Sequence, residues 1–455
     1  MKRIIKVTTV TFTCILLYSC SEFLNIDKPK DQLVKPAVFT SDRSAEAALA
    51  GIYSSMADIN SAISARLHLA AALCSDELYH TYMESSYDQM LTNNIQNTNG
   101  AVDDIWTDLY KYIYYTNSIL EGLVASDDVS STTKTRLTGE AKLVRALCFF
   151  YLCNLWGEVP LTTISDYREN ESLPRSSLSE IYSFIIKELE EAYQMLSGTE
   201  LANERTRPSK QAAMAFLARV HLFQQDWQKA ARAASEVIES ELFKLEDLSG
   251  CFLKDSRETI WQLAAVNPDY NTFIGQQVIP ASETTIPRYV LSEAFANSIE
   301  DGDQRISDWT STAIVRGINY RFPYKYKLGT ASDQAQEFLV ISRLAELYLI
   351  RAEALARLGN LDEAHVDLNV IRNRAGLDDL TANSKEELLL AIEQERRVEF
   401  FLEWGHRWLD LKRTGRSDDV LQELKAPEWQ ASDTLWPIPL SQIEANPYLT
   451  QNPGY

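Results

Sequence analysis

The chain has 455 residues, of which 45% are hydrophobic and 14 are prolines; that is ample material for a large folded core and too apolar for a disordered chain. Its 64 acidic residues outnumber 44 basic ones, for a formal net charge of −20. That balance excludes a broad basic surface for nucleic acid and suits a protein that stays soluble outside the cell. At the start, Lys2, Arg3 and Lys6 precede an apolar run from Val7 to Leu17 that is too short to span a bilayer. The run ends in Leu17-Tyr18-Ser19-Cys20, which looks like a bacterial lipobox, so residues 1–19 read as a lipoprotein signal peptide and Cys20 as the acylated new N-terminus. Residues 20–40 are polar, with Pro29 and Pro36, and read as a lipid-anchored tether. The folded chain is expected over 41–455.

Ser41 opens a helix to about Asp58, with Ala45, Ala48, Leu49, Ile52 and Tyr53 on one face. Leu67 to Leu78 reads as a further helix or an irregular apolar segment. Tyr79 to Gly100 is polar, amide-rich and aromatic without a clean period, and reads as loop. Strong helices follow at Asp103–Ala125, Thr132–Leu155 and Leu178–Leu196; Gly157 and Pro160 break the second. Trp106 and Tyr110, and later Trp261, fall on periodic faces and are expected in the core. Ala218, Leu222, Ala230, Ala234 and Val237, around Asp226-Trp227, form a helical hairpin. The same pattern recurs at a constant offset in Ser342 to Arg374, where Gly359-Asn360 separates two periodic runs. Two such copies are the pattern of tetratricopeptide pairs, which bury their apolar faces only by stacking. Between the copies, Thr259 to Ala265 is strand-like and Asn267 to Ala335 is loose, with frequent Gly, Pro and aromatic residues, as in an insertion. Ser384 and Glu387 read as a capping box for a helix to about Trp404, and the tail is irregular and proline-rich.

Three features could carry chemistry. Glu395, Glu399, Glu403 and Asp410 gather with Arg396, Arg397, Arg407 and Arg413. Paired acids can serve glycoside hydrolysis, but interleaved arginines hold acids ionised, so a structural ion-pair network is the expectation. Asp301-Gly302-Asp303 hints at a calcium loop yet lacks the full ligand set, so a plain turn is expected. Five scattered histidines and no HExxH, GxGxxG, P-loop or nucleophile elbow leave no metal, cofactor or catalytic motif. Cys74, Cys148, Cys153 and Cys251 show no CxxC spacing and read as buried free thiols.

The segments LIRAEALARLGNLDEA, VIRNRAGL, ERRVEFFLEWGHRWLDLKR and LWPIPLSQIEANPYLTQNPGY, with SAEAALAGIYSSM and WTDLYKYIYYTNSIL near the start, resemble the SusD-like (RagB/SusD) outer-membrane lipoproteins over essentially the whole mature chain. The resemblance implies a mostly α fold of about four tetratricopeptide pairs carrying an irregular, loop-rich variable half, with insertions near 76–100 and 242–340. It implies a surface-exposed, lipid-anchored lid over a TonB-dependent (SusC-like) transporter, capturing glycans, or in some branches peptides, without enzymatic activity. In that family the binding face draws on the early loop and on the late insertion. Here those regions nominate Asp76, Tyr79, Tyr82, Tyr87 and Asn93 from the first, and Tyr270, Trp309 and Tyr320 from the second. Aromatic rings cover the CH face of a sugar while polar side chains satisfy its hydroxyl rim. The competing readings are a peptide importer of the same architecture and a glycoside hydrolase built on the Glu395 cluster.

Overall fold

The computed structural model describes residues 38–455 except 199, 200, 203, 268, 270 and 330–334. The signal segment, Cys20, most of the tether and the nominated Tyr270 lie outside the described residues.

Helix α1 (Asp42–Ala57) starts where the Ser41 hydroxyl accepts the Ser44 N–H, and it turns Ala45, Leu49, Ile52 and Tyr53 inward. In α2 (Arg66–Cys74) every residue from Leu67 onward is buried, so its apolar run shows no face. Strand β1 (Leu78–His80) follows. The expectation of loop over 79–100 is corrected by α3 (Ser85–Thr92), which docks through Tyr87 and Met90. Tyr87, Met90 and the partly buried Leu91 carry its apolar signal, too few residues for a period among amides and serines. Asn93 ends α3 at φ 59, a left-handed position that Asn tolerates.

Helices α4 (Gly100–Ala125), α5 (Ser131–Trp156) and α6 (Leu178–Met195) are capped by Asn99, Ser130 and Ser177; Glu180 completes a capping box on α6. Then come the hairpin α7 (Lys210–Phe223) and α8 (Trp227–Ile238), strands β2 (Thr259–Leu263), β3 (Tyr289–Leu291), β4 (Thr310–Val315), β5 (Ile318–Pro323) and β6 (Leu339–Arg343), and the hairpin α9 (Leu344–Leu358) and α10 (Leu361–Arg374). Gly359 stops α9 at φ 92, and the N–H groups of Gly359 and Asn360 return to the carbonyls of Ala356 and Leu355.

Each of these helices packs on the next: α4 on α5, α5 on α6, α6 on α7, α7 on α8, α8 on α9, α9 on α10. The α8–α9 contact carries the architecture. The chain leaves the array after Ile238 and rejoins it at Leu344, yet the stack is unbroken. Antiparallel pairing of β2 with β6 closes this excursion at its base, from Thr259 opposite Arg343 to Leu263 opposite Leu339. From the excursion, β3 pairs antiparallel with β1 of the early chain, and β4 pairs with β5 through Arg316-Gly317, both at positive φ.

Helix α11 (Lys385–Glu399) closes the array, sharing with α9 and α10 an apolar cluster that includes Ala352, Ala356, Ala364, Leu368 and Ile392. Small residues let the backbones approach, and each buried Leu contributes about 1.5–3 kcal/mol. Ser384 caps α11 through the Glu387 N–H, but the Glu387 carboxylate accepts from Asn383 rather than Ser384, so only half of the expected box forms. The helix also ends before Trp404, because Leu402 and Trp404 take positive φ and the Glu403 N–H turns back to the Phe400 carbonyl. Short helices α12 (His406–Arg413), α13 (Ser417–Leu424) and α14 (Leu440–Ala445) complete the chain. Among the described residues, Cys74, Cys148, Cys153 and Cys251 are buried free thiols. Among the described residues no helix is long and apolar enough to cross a membrane.

Candidate functional site

The charged cluster of α11 and α12 folds into a desolvated ionic core. Arg305, from the turn after the Asp301-Gly302-Asp303 motif, reaches Glu395 at 2.6 Å, Glu399 at 3.0 Å and Asp303 at 2.8 Å. The carboxylate that suggested a calcium loop is thus neutralised by an arginine two residues on. Arg343, at the end of β6, holds Glu258 and Glu403 at 2.8 Å each and also contacts Glu399. Arg374 joins Glu258 at 2.8 Å and Glu399, and Lys325 donates to Glu403 at 2.5 Å. Asp410 of α12 is gripped by Arg396 of α11 at 2.8 Å and by Arg413 at 2.6 Å.

Burial opposes ionisation of Glu399, yet Arg374, Arg343 and Arg305 outweigh it and hold the carboxyl well below its usual range. Glu395 moves the other way: burial raises it despite Arg305. Two neighbouring carboxyls pushed apart are the signature of an acid–base pair. Here both are buried, and each is committed to guanidinium partners. A sugar cannot reach them, so the separation records burial and pairing rather than catalysis.

Trp309 belongs to this core. It is 0% exposed, its indole N–H donates to the Leu248 carbonyl at 2.9 Å, and Lys325 sits 4.6 Å from its ring. As an exposed binding platform it is corrected: the insertion folds the ring inward, where it covers Arg343 and Arg374. Asp76 is likewise buried, clamped by Arg407 and Arg397 at 2.8 Å each. Asn93 is buried as the α3 cap, and Tyr87 is buried edge-on to Tyr289. Tyr87 and Asn93 present no side chain to an outside ligand, and the Asp76 carboxylate, in the wall of a cleft, is already held by Arg397 and Arg407.

Of the nominated residues, Tyr79 and Tyr82 come together at one edge. Pairing of β1 with β3 sets Tyr79 opposite Val290 and His80 opposite Tyr289. Strand alternation buries Leu78 and His80 and turns Tyr79 outward, 51% exposed. His80 pairs with Asp88 at 3.0 Å, tying α3 under the strand. Thr81 extends the contact, its N–H donating to the Arg288 carbonyl at 3.0 Å and its hydroxyl to the Pro287 carbonyl at 2.6 Å. This brings Tyr82, 37% exposed, under the Arg288 guanidinium at 5.3 Å. Strand β5 packs beside β3 and carries the half-exposed Tyr320 opposite Ala313. The early loop and the late insertion therefore build one open face from Tyr79, Tyr82 and Arg288, with Tyr320 on the neighbouring strand. Arg288 was not among the nominated residues. Its place follows from the β1–β3 pairing, which no local sequence pattern reports.

Residues 22–222 match a family model described as starch-binding and associating with the outer membrane, and residues 290–455 match the SusD family model. A SusD-like protein of Formosa agariphila is 25% identical across 100% of this chain and 99% of its own length. The starch-binding protein SusD of Bacteroides thetaiotaomicron is 24% identical over 72% of this chain and 75% of its own. Among solved structures, a SusD superfamily protein from Bacteroides vulgatus superposes with a TM-score of 0.80 at 20% identity, covering 91% of this chain and 99% of that one. A laminarin-binding SusD-like protein superposes at 0.76 with 24% identity, covering 92% and 100%. The chain belongs to the SusD family, whose members are outer-membrane-associated binding proteins.

Proposed function

We propose that this protein is a cell-surface glycan-binding lipoprotein that delivers oligosaccharide to a TonB-dependent, SusC-like transporter. Residues 1–19 act as its signal peptide, Cys20 carries the lipid, residues 20–40 form the tether, and 41–455 fold as one SusD-like domain. One observation carries the ligand class: two tyrosines and an arginine, from segments far apart in the chain, share an open face. Tyr79 and Tyr82 supply rigid surface for the CH faces of pyranose rings, and Arg288 supplies donors for hydroxyl oxygens. Such a face is shallow, so single contacts are weak and a polymeric ligand gains by multivalency. A glycosidase would need an accessible acid pair, and the Glu395–Glu399 pair is enclosed by arginines.

Isothermal titration against a polysaccharide panel and, separately, a peptide digest tests this. Heat of binding is expected with at least one glycan, and Tyr79→Ala/Tyr82→Ala is expected to weaken it by roughly tenfold or more, the equivalent of about 1.4 kcal/mol. Heat with peptides alone would replace the glycan reading by the peptide-importer one.

A further inference from the structure

A second concavity opens along the middle of α4, where the 160–171 segment and the chain around α14 come together. Its volume is about 310 Å³, at the lower end of the usual ~300–1,000 Å³ range of ligand sites. It shares no lining residue with the β1–β3 face.

Its chemistry is distinctive. Tyr114 and Tyr167 stand at it 46% and 70% exposed, with Tyr110 and Trp106 behind them. Tyr110, expected to be plain core, is half-buried; its hydroxyl donates to the Pro160 carbonyl at 2.8 Å, which fixes the ring in the wall. Asn117 staples the same segment to α4, donating to the carbonyls of Thr162 at 3.2 Å and Ile164 at 3.0 Å while accepting from Arg145 at 2.6 Å. These bonds pre-form the cleft rather than leaving it to be shaped by ligand.

Asn170 donates to the Ile164 carbonyl at 2.8 Å, but its Oδ1 is buried with no hydrogen-bond partner among the described residues. An orphaned buried acceptor costs stability unless something donates to it. Gln442 adds a further amide across the opening. The lining contains no Lys, Arg or His, and its one ionisable acid is Glu171. An apolar occupant would leave the Asn170 Oδ1 unmet, and an anionic one would find no counter-charge. A neutral sugar brings CH faces for the tyrosines and a hydroxyl donor for the Asn170 Oδ1.

We infer that this cleft is a second carbohydrate-binding site, selective for neutral oligosaccharides; the inference rests on the glycan-binding reading for its ligand class. Two sites on one chain raise retention of a polymer through effective concentration, without either binding tightly.

The test is affinity electrophoresis of the full chain through gels containing neutral or sulfated polysaccharides. Four proteins are compared: wild type, Tyr79→Ala/Tyr82→Ala, Tyr114→Ala/Tyr167→Ala, and the quadruple variant, with circular dichroism confirming their fold. The face variant is expected to keep measurable retardation by a neutral polysaccharide and to lose it in the quadruple variant. The cleft variant is expected to bind neutral polymer at least roughly fivefold more weakly than wild type, with sulfated polymer unaffected. Loss of all retardation in the face variant would overturn the cleft while sparing the face. Undiminished retardation in the face variant that vanishes only with the cleft pair would support the cleft and overturn the face. A quadruple variant retarded as strongly as the face variant would overturn the cleft.

Discussion

The ionic core of α11–α12 and the open face of β1–β3 meet at two consecutive residues. Asp76 sends its carboxylate inward to Arg397 and Arg407, while its carbonyl accepts the Ser292 hydroxyl just beyond β3. Glu77 is buried beside it, and its carbonyl accepts the Ser292 N–H. On one side of this seam, charges are paired and sealed; on the other, rings stand in solvent. The denser chemistry is therefore the scaffold, and the sparser chemistry is where a ligand can arrive. The core fixes the chain that carries Tyr79, so binding precision on the face depends on groups that never touch ligand.

Substitution separates the two regions, and the core should respond most. Arg343→Ala leaves Glu258, Glu399 and Glu403 facing a missing cation in a desolvated site. A loss of about 3–5 kcal/mol is expected in denaturant unfolding. A loss below about 1 kcal/mol would mean that the network is not cooperative.

The seam itself should respond to pH. Burial, and then the charge of Asp76, push Glu77 from 4.5 up to about 8. The folded chain therefore retains a proton that the unfolded chain releases. The stabilising contribution is complete below pH 4.5 and fades as pH rises to about 8. Within that window wild type should lose at most about 1.4 kcal/mol per pH unit relative to Glu77→Gln. Parallel stability–pH curves for the two proteins would remove Glu77 from the account.

Gly405 tests how the seam is packed. It sits at φ 69, and an added Cβ would lie 2.7 Å from the Ala71 Cβ of α2. Gly405→Ala should cost about 2 kcal/mol, from backbone strain together with that contact, read as a lower unfolding midpoint. At the array, Ser177→Ala removes the hydroxyl of the α6 capping box and should cost about 1 kcal/mol. The smallest stability effect is expected on the face: Tyr79→Ala/Tyr82→Ala should stay within about 0.5 kcal/mol of wild type while losing glycan affinity. A large destabilisation there would show the rings to be packing rather than platform.

The hairpins were legible because Ala352, Ala364, Leu368 and their counterparts recur at helical spacing, and Gly359 marks its own turn. The ionic core was legible in kind, since interleaved Arg and Glu imply pairing. Its principal cations were not, because Arg305, Arg343 and Arg374 arrive from other elements. Helix α3 was missed because two buried side chains in eight residues give too little period.

Of the eight nominated contact residues, composition could name the aromatic type but not its exposure. Trp309 and Tyr79 look alike as loop aromatics, and one is sealed while the other is open. Local spacing determined the helices, their stops and the family motifs, because those depend on neighbours within a few residues. Which rings face solvent was decided by long-range pairing, β1 with β3 and the insertion against α11. Burial is a property of what the rest of the chain places on top of a residue.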